Sequence, residues 1–429
     1  MEIEMDNKFK SKTDAVKTIL FVAVMVIFSF IGLLFFLRPT VSETEKRELT
    51  KFPEFSIESF LSGEFTSQVS LWFADTYPLR EGMISANSSL QSLYGINDEQ
   101  IVLGGDADDI PDAPSDPSDV VFNPTDDGSG EKVSGLYVNA NTAYQLYSFN
   151  QQNSTSYVAL INNFASKVDG KAEVYDLIAP LHYQIALSIE TAQKYGASDG
   201  EKAIDYMYSL LSDNITSVDA LGEMRAHNDE YLYFRTDHHW TARGAYYAFV
   251  AFCEARGIEP TALDAYESLR FDGFLGTLYS EAKQPTAMKN DPDFVEAFVP
   301  IGTNAIKVTE KGGNIVEYQV VNKQTNAWYP AAGAKYNCFI AGDNPLSEIH
   351  NPSISDGSSI VVVKESYGNA FIPFLVDSYE YVYVIDYRYW SGDLADFVID
   401  NGIDDVLFLN VVNNTSTSAR LEELADIIN

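Results

Sequence analysis

The chain has 429 residues, 46% of them hydrophobic and 13% aromatic, enough apolar material for one large core or two smaller ones. Its formal charge of −34, from 28 Lys and Arg against 62 Asp and Glu, excludes a nucleic-acid partner, which needs a basic face, and reads as a solvated acidic surface. Cys253 and Cys338 are too few for a disulfide framework or a thiolate zinc site, and one bridge between them stays open.

Residues 1–17 form a tail carrying Lys8, Lys10, Lys12 and Lys17. From Thr18 to Leu37, "TILFVAVMVIFSFIGLLFFL" holds no charge, and at helical rise it spans about 30 Å, the thickness of a bilayer's hydrocarbon core. The run is longer than the apolar core of a signal peptide and ends in bulky residues, so it predicts an uncleaved transmembrane helix. The lysines on its amino side put the tail in the cytoplasm and everything after Arg38 outside, a single-pass protein of the cell membrane. Residues 38–100 read as a helical stalk with an amphipathic run from Phe65 to Tyr77. Residues 101–133, rich in Asp, Pro, Gly and Ser, read as an acidic flexible loop; its aspartates do not have the spacing of a calcium loop.

The body, residues 134–429, has a clear rhythm. "SYVALINNFASKV" predicts a helix, "AEVYDLIAPL" a strand, and "YQIALSIETAQKYG" and "EKAIDYMYSLLSDN" helices. "YLYF" reads as a strand and "ARGAYYAFVAFCEARG" as a helix closed by Gly257. From about 260 to 345 the segments "FLGTLYS", "AFVPI", "AIKVTEK", "IVEYQVVN" and "YNCFIAG" read as short strands of a β-rich insertion. The rhythm then returns with "SSIVVVKES" (strand), "NAFIPFLVDS" (helix), "YEYVYVIDYR" (strand), "SGDLADFVIDNG" (helix) and "DDVLFLNVV" (strand). Strands alternating with helices predict an α/β sandwich with a mostly parallel sheet and helices on both faces.

In such a sheet, chemistry collects at the carboxyl ends of the strands. "SSIVVVKESYGNAF" places Ser366 there, where a turn into a helix would present its hydroxyl; a serine at that junction also serves as a helix cap. If Thr236 to Trp240 in "YLYFRTDHHW" is extended, Asp237 and His239 share a face and His238 points away, to pack or hydrogen-bond behind the site. A carboxylate beside an imidazole orients a general base; the same pair also occurs as a structural hydrogen bond. A metal site using Asp237, His238 and His239 with His182, His227 or His350 is the rival, but the spacing lacks a ligand motif, so no metal or other cofactor is expected. Trp240 is bulky enough to wall the site, and Thr241 caps the next helix. Tyr367 has a backbone N–H for an oxyanion and a ring for a sugar, or simply packs. Arg388 would orient an acyl or glycan oxygen, or form a surface ion pair. Pro180, His182 and Tyr183 would rim the same cleft.

The motifs "TDHHW" (236–240), "KESYGN" (364–369) and "DYRYW" (386–390), in that order, resemble the bacterial DHHW proteins and, more distantly, SGNH-hydrolase-like alginate O-acetyltransferase proteins. The likeness extends to "SETEKRELTKFPEFS" and "FADTYPLRE" in the stalk. It implies an SGNH-hydrolase-like (flavodoxin-like) sandwich and an extracytoplasmic O-acetyltransferase or acetylesterase acting on a cell-surface glycan, with Asp237, His239 and Ser366 as its triad. It also implies a multipass membrane O-acyltransferase as acetyl donor. Glu365 stands where the relatives have aspartate, and Asn369 and Asn410 are candidates by position for the family's oxyanion-binding asparagine. The alternative is a non-catalytic, membrane-anchored glycan-binding or scaffold protein with a degenerate site.

Overall fold

The computed structural model describes residues 107–113, 122–323 and 332–428, together with positions 38–42, 47–48, 51–53, 55, 65, 69, 72–73 and 76–78. The expected membrane span 18–37 lies outside the described residues, among which no helix is long and apolar enough to cross a membrane. Two compact units divide between Asp98 and Glu99. In the first, β1 (Val41–Ser42) pairs antiparallel with β2 (Arg47–Glu48), and Phe65, Val69, Trp72 and Phe73 are helical. The Arg38 guanidinium sits 4.0 Å from the Trp72 ring centroid and donates to Thr76 Oγ1 at 2.7 Å.

The second unit opens with an antiparallel meander of β3 (Glu131–Val133), β4 (Leu136–Asn139) and β5 (Thr142–Tyr144). Asp126 pins it, accepting hydrogen bonds from Gly128 N, the Tyr137 and Tyr144 hydroxyls and Asn139 Nδ2 at 2.8 to 3.0 Å. Residues 122–133 of the segment expected to be flexible are thus tied to the body, because Asp and Gly there supply turn chemistry.

The remaining strands are β6 (Glu173–Ala179), β7 (Ile215–Ser217), β8 (Glu267–Phe274), β9 (Asp293–Val299), β10 (Ala305–Thr309), β11 (Ile315–Gln319), β12 (Leu346–His350), β13 (Ser359–Lys364), β14 (Tyr381–Asp386) and β15 (Asp405–Val411). Eight form one sheet in the order β11-β10-β12-β14-β13-β15-β6-β7. The five from β14 to β7 are parallel, while β12, β10 and β11 extend the sheet antiparallel. The fold is α/β with a mostly parallel sheet. Ile360 to Val363 of β13 are fully buried, and each such side chain stabilises by roughly 1.5–3 kcal/mol. A strand covered on both faces must be an unbroken apolar run.

Helices α1 (Gln151–Lys167) and α2 (Ala242–Arg256) lie on opposite faces. Phe164 of α1 meets Phe408, and Phe252 of α2 meets Tyr175; Phe408 is paired with Asp176, the next residue along β6, so the two contacts point to opposite sides. Asn150 caps α1 by accepting from Asn153 N, and Gly257 ends α2 at φ 76°, a left-handed conformation that favours glycine. Helix α3 (Leu394–Asn401) connects β14 to β15, and α4 (Ser418–Ile428) packs on α1.

The structure corrects several local expectations. The β-rich insertion is not one module: β8 and β9 form their own two-stranded sheet, whereas β10 and β11 join the main one. "GTLYS" forms the turn and helix Thr277–Glu281, and "YNCFIAG" lies in a 3-10 turn ending at Cys338 with one isolated bridge, Val321 to Phe339. Among the described residues, "YLYF" has no strand partner beyond an isolated bridge between Tyr233 and Trp240. Short apolar runs do not by themselves determine whether an edge is available to pair. Cys253 and Cys338 are both buried and free.

Candidate active site

Ser366 follows β13, whose last residue is Lys364. Glu365 caps the 3-10 turn Ser366–Ala370, its Oε2 accepting from Tyr367 N at 3.2 Å. Lys364, Glu365 and Tyr367 are buried and Ser366 only half-buried, so the turn offers its serine to solvent.

The base arrives from a loop. Residues 235–239 are bends between the bridge partners Tyr233 and Trp240, not the extended strand expected. Asp237 and His239 nevertheless meet, because Asp237 Oδ1 accepts from both the backbone N–H of His239, at 3.1 Å, and its Nδ1, at 2.6 Å. Aspartate bonding the backbone two residues on is turn chemistry, and here it also orients the ring. The other carboxylate oxygen accepts from Thr277 N at 2.8 Å and Thr277 Oγ1 at 3.3 Å. Gly276 makes that approach possible, since a Cβ there would lie 2.1 Å from the Asp237 Cβ.

With Nδ1–H donated to a carboxylate, Nε2 is left to accept, and it lies 2.8 Å from Ser366 Oγ. Asp237, His239 and Ser366 form one hydrogen-bonded line, with the first two buried. The two loops clamp each other. Trp240 Nε1 donates to the Tyr367 carbonyl at 2.9 Å, and the Tyr367 hydroxyl donates to the His238 carbonyl. Trp240 is fully buried, so it braces the site from behind rather than walling a cleft.

His238 does not point away. Its ring centroid is 3.9 Å from that of His239, and Nδ1 lies 2.7 Å from Thr277 Oγ1. Burial and the His239 ring push its pKa down to about 4, favouring the neutral form. One donor atom from each of Asp237, His238 and His239 lies within 4.8 Å of the others. In this arrangement Asp237 and His239 are bonded to each other and His238 to Thr277.

Beneath the turn lies a charged cluster. Lys364 Nζ lies 2.6 Å from Asn369 Oδ1, 3.1 Å from Asp386 Oδ2 and 3.5 Å from Asp343 Oδ1. Arg388 grips Asp386 through Nε at 2.8 Å and Nη2 at 2.6 Å, and reaches Asp343 Oδ2 at 3.0 Å. The Arg388 fork is thus occupied by carboxylates in a largely buried network, unlike a surface pair. Burial would raise the Asp343 pKa, but Lys364 and Arg388 outweigh it and hold the carboxyl well below its usual range. Asn369 is engaged from both ends, its Nδ2 donating to Asp343 at 2.9 Å. The Tyr367 N–H, expected to meet an oxyanion, is committed to Glu365, whose Oε2 also lies 3.2 Å from Ser366 Oγ. Asn410 belongs elsewhere, accepting from the Tyr387 hydroxyl at 2.8 Å. Of the expected rim, His182 stacks on Tyr233 with centroids 5.0 Å apart, the Pro180 carbonyl accepts from the Tyr233 hydroxyl, and Tyr183 donates to the Ser198 carbonyl at 2.8 Å.

Sequence reasoning missed Tyr336, Thr277 and Asp343. The buried Tyr336 ring stacks on His239 at 4.1 Å and 16°, while its hydroxyl donates to the Ser366 carbonyl at 3.0 Å. It comes from the insertion, where no local pattern marks it. Lys364 did carry a signal, a charge continuing an otherwise apolar buried strand.

The family model described as "DHHW protein" matches residues 45–124 and 115–385. A DHHW family protein from Eubacterium siraeum is similar in structure with a TM-score of 0.63 and 28% identity, covering 70% of this chain and 98% of that one. PatB1 of Bacillus cereus, solved with a sulfonyl adduct, is similar in fold at TM-score 0.57 and 16% identity, over 68% of this chain and 98% of that one. The O-acetyltransferase domain of Pseudomonas putida AlgJ is less alike, at TM-score 0.37 and 14% identity over 64% of this chain and 90% of that one. No curated protein sequence matches the chain.

Proposed function

The chain belongs to the DHHW family, and we propose that it is a Ser-His-Asp enzyme with an SGNH-hydrolase-like site that moves acetyl groups onto or off a cell-surface polysaccharide. One observation carries this reading: the unbroken hydrogen-bonded line from Asp237 Oδ1 through both nitrogens of His239 to Ser366 Oγ. Asp237 holds the imidazole and stabilises its charged form; Nε2 takes the hydroxyl proton as Ser366 Oγ bonds to the acyl carbon. The same proton then goes to the departing group as its bond to the acyl carbon breaks. A sugar hydroxyl, or water, next gives its proton to His239 and attacks the acyl-serine, and Ser366 leaves reprotonated. On the same reading, residues 18–37 anchor the chain with its body extracytoplasmic, near a multipass O-acyltransferase that supplies acetyl.

A second reading rests on Glu365, whose carboxylate engages both Ser366 Oγ and the Tyr367 N–H. Burial raises the pKa of this carboxyl, and with the Tyr367 N–H given to it that donor is not free for an oxyanion, as expected of a non-catalytic glycan-binding or scaffold protein. Full-length protein in detergent, given a chromogenic acetyl ester and separately a sulfonyl fluoride, distinguishes the two. The enzyme reading expects ester turnover and a label on the Ser366 peptide, both lost in Ser366→Ala. Neither turnover nor label in the wild type would leave the non-catalytic reading standing. Addition of an oligosaccharide separates transfer from hydrolysis by whether acetyl reaches sugar or only water.

A further inference from the structure

The antiparallel extension of the sheet carries a second feature. Phe397 of α3 packs on Tyr383, and beyond it β12, β10 and β11 present a face with half-buried and exposed side chains, whereas Ile306, Val308, Ile349 and Val382 on the reverse face are buried. A groove of about 280 Å³ lies on that open face, lined by Tyr381, Tyr383, His350, Glu348, Lys307 and Glu317. The register explains its make-up: Glu348 pairs with Tyr383, His350 with Tyr381, and Lys307 with both Glu348 and Glu317.

We propose that this groove binds a strand of neutral, hydroxyl-rich polysaccharide, so that the enzyme holds its polymer at a place separate from the triad. Tyr381 and Tyr383 stand two residues apart on one face; His350 stacks on one side of the Tyr381 ring at 4.9 Å and Phe397 meets Tyr383 edge-on, and the remaining ring surface is offered to the apolar faces of successive sugars. Beside them, carboxylates that only accept alternate with an ammonium that only donates: Lys307 Nζ lies 3.1 and 3.2 Å from the Glu348 oxygens. That mixture suits hydroxyl groups, each both donor and acceptor. Charge selects the class, because two glutamates against one lysine, on a chain of net charge −34, repel a polyanion. The groove lies toward the start of β14, while Asp386 at its end joins the cluster under Ser366; five residue steps along the strand take Tyr381 to Asp386, about 17 Å. Two attachment points on one polymer raise its effective concentration at the triad without altering the chemistry.

The assignment deepens the proposed function and rests on it for the identity of the polymer, but its test does not. Full-length protein is run through native gels containing hydroxyethylcellulose, glycol chitin or polygalacturonate. Retardation by at least one neutral polymer and none by polygalacturonate is expected. Tyr381→Ala/Tyr383→Ala, and separately the near-isosteric Glu348→Gln/Glu317→Gln, should weaken apparent affinity about tenfold while small-ester turnover stays at the wild-type rate. No retardation in either neutral gel, equal retardation by polygalacturonate, or unchanged affinity in both variants would overturn the assignment. Loss of ester turnover in the wild type would instead defeat the enzyme reading and leave the gel result to be judged alone.

Discussion

Replacing Asp237 by asparagine tests the site most directly. Asp237 Oδ1 accepts two N–H groups of His239, and Oδ2 accepts the N–H and hydroxyl of Thr277. An amide has one oxygen and cannot serve both sides. Turned toward Thr277, its NH₂ faces His239, and the ring must move its proton to Nε2, where it no longer accepts from Ser366. Turned toward His239, its NH₂ meets the fixed Thr277 N–H, and the imidazolium loses its counter-charge. Either outcome removes transition-state stabilisation of the kind that costs a triad about 10⁴-fold in kcat, roughly 5.4 kcal/mol. The assay is steady-state hydrolysis of a chromogenic acetyl ester, with near-UV circular dichroism and thermal unfolding to establish that the fold survives. A loss under about tenfold in a folded variant would refute the role given to Asp237.

Tyr336→Phe keeps the ring on His239 and loses one hydrogen bond, so kcat should fall severalfold, in line with about 1 kcal/mol; Tyr336→Leu also loses the stack and should fall further, and equal effects would assign the ring no role. Gly276→Ala drives a methyl group into the side chain and Cα of Asp237, and a displacement near 1 Å should lower kcat about 100-fold, beyond the fall in unfolding midpoint that overpacking of about 1–3 kcal/mol brings; wild-type kcat would show that the loop yields freely. Asp176 is fully buried, with Oδ1 2.5 Å from the Tyr157 hydroxyl, and burial raises its pKa from 3.8 to about 7. The native state therefore holds a proton that the unfolded chain releases, and stability is lost as pH rises through that window, by roughly 4 kcal/mol. Urea unfolding at pH 4.5 and 7.5 should show Asp176→Asn gaining most of that difference on the wild type; a pH-independent difference would mean Asp176 ionises normally.

Much of this architecture is legible in the chain. "IVVV" and "DVLFLNV" are strands covered on both faces, and an unbroken apolar run between turn signals has few other places to go, while in "YVYVID" the half-buried Tyr381 and Tyr383 alternate with buried valines. Asp237, His239 and Ser366 were legible too, because a serine at a strand end and an Asp-x-His pair are local patterns, and the structure brings all three together. Period-two geometry predicts a strand for the pair, whereas a turn closed by the Asp237 carboxylate sets the contact. Only the tertiary structure decided that Tyr336 covers the base, that Thr277 holds the acid, that Arg388 is taken up by Asp386 and Asp343, and that the antiparallel strands leave a face open. Apart from Arg388 and Asp386, which stand two residues apart, these contacts join segments 40 or more positions apart in the chain, and hydrophobic period and turn chemistry act over a few residues only. Which distant carboxylate an arginine meets is settled when the layers pack.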